Sequence, residues 1–107
     1  MIGLPRVPGS ASRSSGLAAE ILVVDNASGL PVDELLRRHP ATRRVVADRN
    51  VGFAAGCGMG AEAARAPVLL FVNDDAVVEP DAPLLLAEAL SRAEPDVVAV
   101  AGRLTDL

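Results

Sequence analysis

The chain has 107 residues, half of them apolar and 22% charged, with a formal net charge of -4. This length allows one modest domain. The acidic balance excludes broad electrostatic binding to nucleic acid or to anionic lipid. The single cysteine, Cys57, excludes an internal disulfide, and no apolar run reaches the roughly 18–20 residues that span a bilayer. We therefore expect a cytoplasmic protein without a transmembrane segment.

Residues 1–19 are rich in proline, glycine and serine and show no periodicity. Such a composition buries too little surface to offset its chain entropy, so it predicts a disordered leader. From residue 20 the pattern changes to alternating apolar runs and amphipathic stretches. In chain order these predict the strand 21–24, the helix 28–40, the strand 43–47, a loop and helix over 51–66, the strand 68–72, the helix 79–95 and the strand 96–102. The alternation predicts an α/β fold with a parallel sheet and helices on its faces.

Acidic and amide side chains follow two of the predicted strands. Asp25 and Asn26 end the first, and Asn73, Asp74 and Asp75 end the strand "VLLFV". Ligands of parallel sheets collect at the carboxyl ends of the strands. Oxygen ligands of this kind suit Mg²⁺ or Mn²⁺, which bind through one or two carboxylates plus substrate phosphates. The alternative is a simple turn, because Asn and Asp tolerate turn geometry.

A glycine-rich stretch, "DRNVGFAAGCGMGAEAA" (48–64), precedes and enters a predicted helix. Its glycines would let backbone N–H groups approach a phosphate or ribose closely. The alternative is close packing of a Gly/Ala-rich helix on the sheet. The dinucleotide-binding pattern is not met, because the glycines lie well past the preceding strand.

Four motifs in order resemble successive segments of family 2 glycosyltransferases, above all bacterial rhamnosyltransferase-type members. They span roughly residues 20–107 and read "ILVVDNAS", "NVGFAAGCGMG", "LLFVNDDAVVEPDAP" and "VVAVAGRLTD". The resemblance implies a GT-A fold, a parallel-sheet, Rossmann-like, three-layer nucleotide-binding half-domain. It also implies a nucleoside-diphosphate sugar as donor, UDP- or dTDP-linked, with Mg²⁺ or Mn²⁺, and transfer of the sugar to an acceptor.

Carried over by position, the resemblance assigns roles to individual residues. Asp25 and Asn26 fall where the family contacts the nucleobase, and Asn73-Asp74-Asp75 falls on its DxD-type motif. Asp75 then matches the acid that faces the metal and diphosphate, and Asp74 the acid near the ribose and sugar. Asn73 departs from a strict DxD by replacing its first acid.

The "NxGF" element beside the donor pocket is matched by Asn50 and Gly52. Gly58 stands where similar sequences often have Asn. Family members usually begin with a central strand, and residues 1–19 bear no likeness to it. Its loss predicts unpaired sheet edges, which are open to a partner chain.

The chain ends before the region where the family carries the general base that inverting transfer needs. No catalytic residue is therefore assigned, and we expect residues 20–107 to form a partial domain, incomplete for catalysis alone. Two alternatives remain open. One is another nucleotide-binding enzyme such as a nucleotidyltransferase. A basic glycine-rich loop directly after the first strand would favour it, and the sequence shows no such loop. The other is a non-catalytic interaction module that pairs through its exposed sheet edge.

Overall fold

The computed structural model describes residues 1–4 and 19–105. Within these ranges the chain forms four strands and three helices. They are β1 (Ile2–Leu4), β2 (Glu20–Asp25), α1 (Val32–Leu36), β3 (Thr42–Val46), α2 (Phe53–Ala63), β4 (Val68–Leu70) and α3 (Ala82–Arg92).

One four-stranded sheet organises the domain, in the order β3-β2-β1-β4. The strands β2 and β3 are parallel and joined through α1, with Val23 opposite Arg44. The strand β1 is antiparallel to both of its neighbours. Because β2 and β4 each run opposite to β1, they point the same way and their carboxyl ends meet at one edge of the sheet. The predicted α/β fold is confirmed, and the sheet is mixed: β2 and β3 are parallel as predicted, whereas β1 is antiparallel to its two neighbours.

The central strand β1 comes from a region that the sequence analysis assigned to a leader. Residues 2–4 pair with β2 on one side and with β4 on the other, with Ile2 opposite Ile21 and Leu70. A three-residue strand beside proline and glycine gives almost no period-2 signal, so composition alone did not indicate it. The rest of the predicted leader, residues 5–18, lies outside the described residues. The loss of the family's central strand was expected to leave unpaired edges between β2 and β4. The strand β1 fills this place in the sheet, but it runs antiparallel to β2 and β4.

The predicted strand over 96–102 is wrong. Residues 97–105 carry no regular secondary structure, and Val98 and Leu104 are almost fully exposed. Their β-branched composition favours a strand, but a strand forms only where a neighbouring edge accepts its hydrogen bonds. Within the described residues β4 pairs with β1 alone, so β4 remains an edge strand.

The first helix is shorter than its sequence suggests. It has Asp33 and Glu34 in its first turn and ends at Leu36 with Arg37 as C-cap. The basic residues that follow lie beyond the helix. A turn closed by Thr42 N–H donating to the His39 carbonyl at 2.9 Å leads the chain directly into β3.

The helix α2 packs on β2 and β3. The described residues hold four buried apolar side chains, of which Leu22 is completely enclosed; the others are Val32, Ala47 and Ala87. Many larger apolar side chains remain exposed, including both phenylalanines. The sheet thus has a small core and presents much of its apolar material at the surface.

Candidate functional site

A cavity of about 530 Å³ opens at the edge of the sheet where β2 and β4 end. Its inner wall is apolar and includes Leu22, Val24 and Cys57. Its mouth carries the amide of Asn26 and the polar run Asn73–Asp75. The two predicted clusters therefore meet in one cavity, because β2 and β4 point the same way. The complete lining is Met1, Leu22, Val23, Val24, Asn26, Phe53, Gly56, Cys57, Phe71, Val72, Asn73, Asp74 and Asp75.

The side-chain amide of Asn26 holds the loop that begins α2. Its Nδ2 donates to Oδ1 of Asn50 at 3.2 Å and to the carbonyl of Gly52 at 3.1 Å. Its Oδ1 accepts from the N–H of Val51 at 2.9 Å. The Oδ1 of Asn50 also accepts from the N–H of Gly52 at 2.9 Å. Asn50 and Gly52 thus hold Asn26 and the start of α2 at Phe53 in position. They do not themselves line the cavity.

Gly52 makes this loop possible. Its φ of 84° lies in the left-handed region, where a side chain is strained, and it is the N-cap of α2. The chain turns there so that Phe53 begins the helix at the cavity wall. The "NVGF" motif therefore encodes a turn geometry that orients the start of α2 toward the site.

Asp25 faces away from the cavity into an ionic cluster. Its Oδ1 accepts from the Ser28 N–H at 2.9 Å, and its Oδ2 accepts from Nη2 of Arg44 at 2.5 Å. Nη1 of the same Arg44 contacts Oδ1 of Asp33 at 2.7 Å. Hydrogen bonds from the Ser28 hydroxyl and N–H, and then from Arg44, lower the pKa of Asp25 from 3.8 to about 2. The carboxylate is buried and does not line the cavity.

The run Asn73–Asp75 forms a turn that follows β4 and the two apolar residues Phe71 and Val72. The N–H of Ala76 donates to the Asn73 carbonyl at 3.2 Å, which places Asp74 and Asp75 in the middle of the turn. A turn at Asn73–Asp75 is therefore compatible with a role of the same side chains as ligands of a cation. Both acids are exposed, and neither forms an ion pair with an arginine in the described part of the chain. Their oxygens are available at the cavity mouth.

The glycines of α2 serve close packing against β2. Gly56 and Gly60 are buried, one turn apart, on the face of the helix that meets the sheet. A Cβ at Gly60 would lie 2.9 Å from Cγ2 of Val24 and closer still to Cε of Met1. At Gly58, on the exposed side, a Cβ would meet nothing within 4 Å. The packing alternative explains Gly60, while Gly56 both packs on β2 and lines the cavity.

Sequence reasoning missed three residues of the site. Phe53 and Phe71 both line the cavity and are 73% and 48% exposed. Arg44, which the sequence analysis assigned no role, joins Asp25 to Asp33. A signal for the aromatics did exist, since they are the only two in the chain and each adjoins a predicted site motif.

The described residues form an α/β domain with a cavity at the carboxyl ends of β2 and β4. A model of the family described as "Glycosyl transferase family 2" matches residues 4–106. This chain belongs to that family, which makes it a glycosyltransferase domain, as the resemblance implied. No curated protein and no solved structure matches the chain.

In the described residues, 1–4 and 19–105, no helix combines the length and apolar character that crossing a membrane requires.

Proposed function

We propose that this domain binds a nucleoside-diphosphate sugar in the cavity between β2 and β4, with a divalent cation at Asp75, for transfer of the sugar to an acceptor. The observation that carries the proposal is the joint placement of Asn26, Asn73, Asp74 and Asp75 around one cavity. A UDP- or dTDP-linked sugar combines the required features. It has a flat base for an apolar wall and a charged diphosphate for a cation-binding mouth.

The donor set fits a cation that arrives with its substrate. Asp74 and Asp75 supply two exposed carboxylates, and no group of three acidic, histidine or cysteine side chains that could hold a metal occurs in the described ranges. Mg²⁺ ordinarily uses one or two carboxylates and completes its shell with water and phosphate oxygens. We therefore expect weak binding of the metal alone and tighter binding in the presence of a diphosphate.

Each polar residue then has a defined part in donor binding. Asp75 holds the cation against the diphosphate, and Asp74 and Asn73 face the ribose and sugar side of the mouth. Asn26 keeps the loop 50–52 in place through its three hydrogen bonds. When bound, the cation neutralises charge on the departing diphosphate. Asp25 supports the loop after β2 from behind, through Ser28 and Arg44.

The test measures thermal unfolding of the whole chain with UDP- and dTDP-sugars, with and without Mn²⁺. A ligand that binds only the folded state at about 100 times its Kd stabilises that state by about 2.7 kcal/mol. We expect a shift with the nucleotide sugar and Mn²⁺ together. The Asp75→Asn variant, which keeps the shape and removes the charge, should lose the metal-dependent part.

Asp81→Asn is the matched control, because Asp81 is exposed and lies outside the cavity. It should respond to nucleotide as the wild type does. A shift that survives Asp75→Asn would contradict the cation site while leaving donor binding in place. No shift with any nucleotide would contradict the proposed function and favour the interaction module.

A further inference from the structure

The two outer strands of the sheet differ in charge. The edge strand β3 has Arg43 and Arg44 in its middle, and both are held in ion pairs with residues of β2. Charged side chains on an edge strand hinder its pairing with another chain. The other edge strand, β4, and the two residues after it read "VLLFV" (68–72) and contain no charge. The edge at β4 therefore lacks the protection that the edge at β3 has.

The outer side of β4 offers both hydrogen bonds and apolar surface. Among residues 1–4 and 19–105, β4 pairs with β1 alone. Alternate residues of such a strand direct their backbone groups away from their neighbour, where water or a further strand can bond them. The side chains of β4 are only half-buried, and Phe71 is 48% exposed. An added strand would remove this apolar surface from water, which favours pairing over hydration.

Charges of opposite sign stand at the two ends of the run 68–72. Arg65 precedes the run, and Asp74 and Asp75 follow it. All three side chains are exposed, and none forms an ion pair with another described residue. If two copies of the run lie antiparallel, each Arg65 comes to the end that carries the acids of the other copy. A parallel arrangement would bring like charges together, so the charges match a second copy in the antiparallel direction.

We propose that two copies of this chain pair through β4, antiparallel about a two-fold axis at Leu70, to form one continuous sheet. In this register Leu70 lies opposite its equivalent and Leu69 lies opposite Phe71, so apolar side chains meet across the strands. Arg65 lies opposite the Asp74–Asp75 turn of the other copy. An interface of this kind is self-complementary and closes as a dimer. The inference is independent of the proposed function, because it uses only the edge of the sheet.

The charges set the direction of pairing, while the backbone bonds and apolar side chains supply most of the affinity. Exposed ion pairs contribute little to stability and are screened by salt. Arg65 needs only one of the two carboxylates that it meets. The other carboxylate therefore stays available at the mouth of the cavity.

The test measures the mass of the whole chain by sedimentation equilibrium over a range of concentrations. We expect a reversible equilibrium between one and two chains. Amide hydrogen exchange in residues 68–72 should slow as the dimer forms, because the outward amides gain partners. Arg65→Glu places like charges at both ends of the interface and should weaken the dimer about 10-fold. The variant Arg65→Glu/Asp74→Lys/Asp75→Lys, which reverses both signs, should restore association.

Arg49→Glu is the matched control. Arg49 is exposed and follows β3, at the opposite edge of the sheet from β4. The substitution changes the net charge as Arg65→Glu does, and it should leave the dimer unchanged. Because Arg65 also helps to lower the pKa of Glu20, thermal unfolding of each variant checks that the fold is kept.

Three results would overturn the proposed dimer. The first is the mass of one chain at every concentration; protected amides in 68–72 would then show that another part of the same chain covers the edge. The second is a dimer whose dissociation constant responds equally to Arg65→Glu and Arg49→Glu, since the interface would then lie elsewhere. The third is a dimer in which exchange at 68–72 does not slow with increasing concentration.

Discussion

Arg44 and Asp25 are joined by a hydrogen bond of 2.5 Å from Nη2 to Oδ2, which ties the middle of β3 to the carboxyl end of the adjacent parallel strand β2. The other half of the guanidinium contacts Asp33 at the start of α1. One arginine therefore connects three consecutive elements, and the loop between β2 and α1 is held on both sides. This ionic cluster supports the end of β2, where the candidate site lies.

The first prediction concerns acid stability. The pKa of Asp25 is about 2 in the folded chain and 3.8 at its ordinary value, so the unfolded chain binds the proton more readily. The carboxylate therefore contributes stability that is fully present above about pH 4 and is lost as the pH falls toward 2. Glu20, whose pKa the Arg65 N–H and then Arg43 also lower, acts in the same direction. Urea unfolding at a series of pH values should show this loss.

The Asp25→Asn variant isolates the contribution of the one group. It should take up about one proton fewer on unfolding near pH 3 than the wild type does. Glu62→Gln is a suitable control, since Glu62 is exposed and forms no ion pair within the described residues. If the free energy of unfolding falls equally with decreasing pH in the wild type and in Asp25→Asn, Asp25 does not contribute this acid-sensitive stability.

The second prediction concerns the loop that Asn26 supports. Asn26→Ala removes three hydrogen bonds, each worth about 0.5–1.5 kcal/mol net. Since these bonds lie near the surface, we expect a total loss of about 1–2 kcal/mol in the free energy of unfolding. The Val51 amide, which loses its acceptor, should exchange its hydrogen faster. Amide exchange followed by NMR measures this effect directly.

Asn26→Asp separates the acceptor of this amide from its donor. The aspartate keeps an oxygen for the Val51 N–H but faces the Gly52 carbonyl and Asn50 Oδ1 without a donor. Val51 should then remain more protected than in Asn26→Ala, although the variant is still less stable than the wild type. Equal protection of Val51 in the wild type and in Asn26→Ala would show that the loop does not depend on this side chain.

The third prediction concerns the packing of α2 on the sheet. A methyl group added in Gly60→Ala meets Cγ2 of Val24 at 2.9 Å and also Cε of Met1. The methionine end can move, but Val24 is in β2, so the helix must shift. Overpacking of this kind costs about 1–3 kcal/mol of unfolding free energy. Chemical denaturation should show the decrease.

Gly58→Ala is the same substitution on the opposite face of the same helix. A Cβ there meets nothing within 4 Å, so the gain in helix propensity is unopposed. We expect stabilisation by about 0.5–1 kcal/mol. Opposite signs for the two variants establish that Gly60 is present for close approach. Stabilisation by both would mean that α2 is not seated against β2 as described.

Much of the fold could be predicted from local pattern. The continuous apolar run "ILVV" identifies a strand, and the stretch 79–95 carries a helical period over enough residues to identify a helix; these are β2 and α3. Elements whose existence depends on a partner could not be predicted in this way. Residues 2–4 become a strand because β2 and β4 flank them, and 96–102 remains irregular because it pairs with no strand among the described residues.

The same distinction between local pattern and long-range contact applies to the candidate site. Motif position indicated that Asn26 and Asn73–Asp75 belong together, and the structure brings them around one cavity. Which side of β2 Asp25 faces was not predictable, since the long-range partner Arg44 lies 19 residues away. The exposure of Phe53 and Phe71 was equally hidden, because burial depends on packing around the residue.

The sequence alone determined the strand β2, the helix α3 and the position of the acidic and amide side chains after β2 and β4, since those properties reside in short stretches of chain and in side-chain chemistry. Only the tertiary structure decided the direction of the central strand, the pairing of Asp25 with Arg44 and the meeting of both aromatic rings at one cavity. Each of these depends on contacts between segments far apart in the chain, and local patterns carry no information about such contacts.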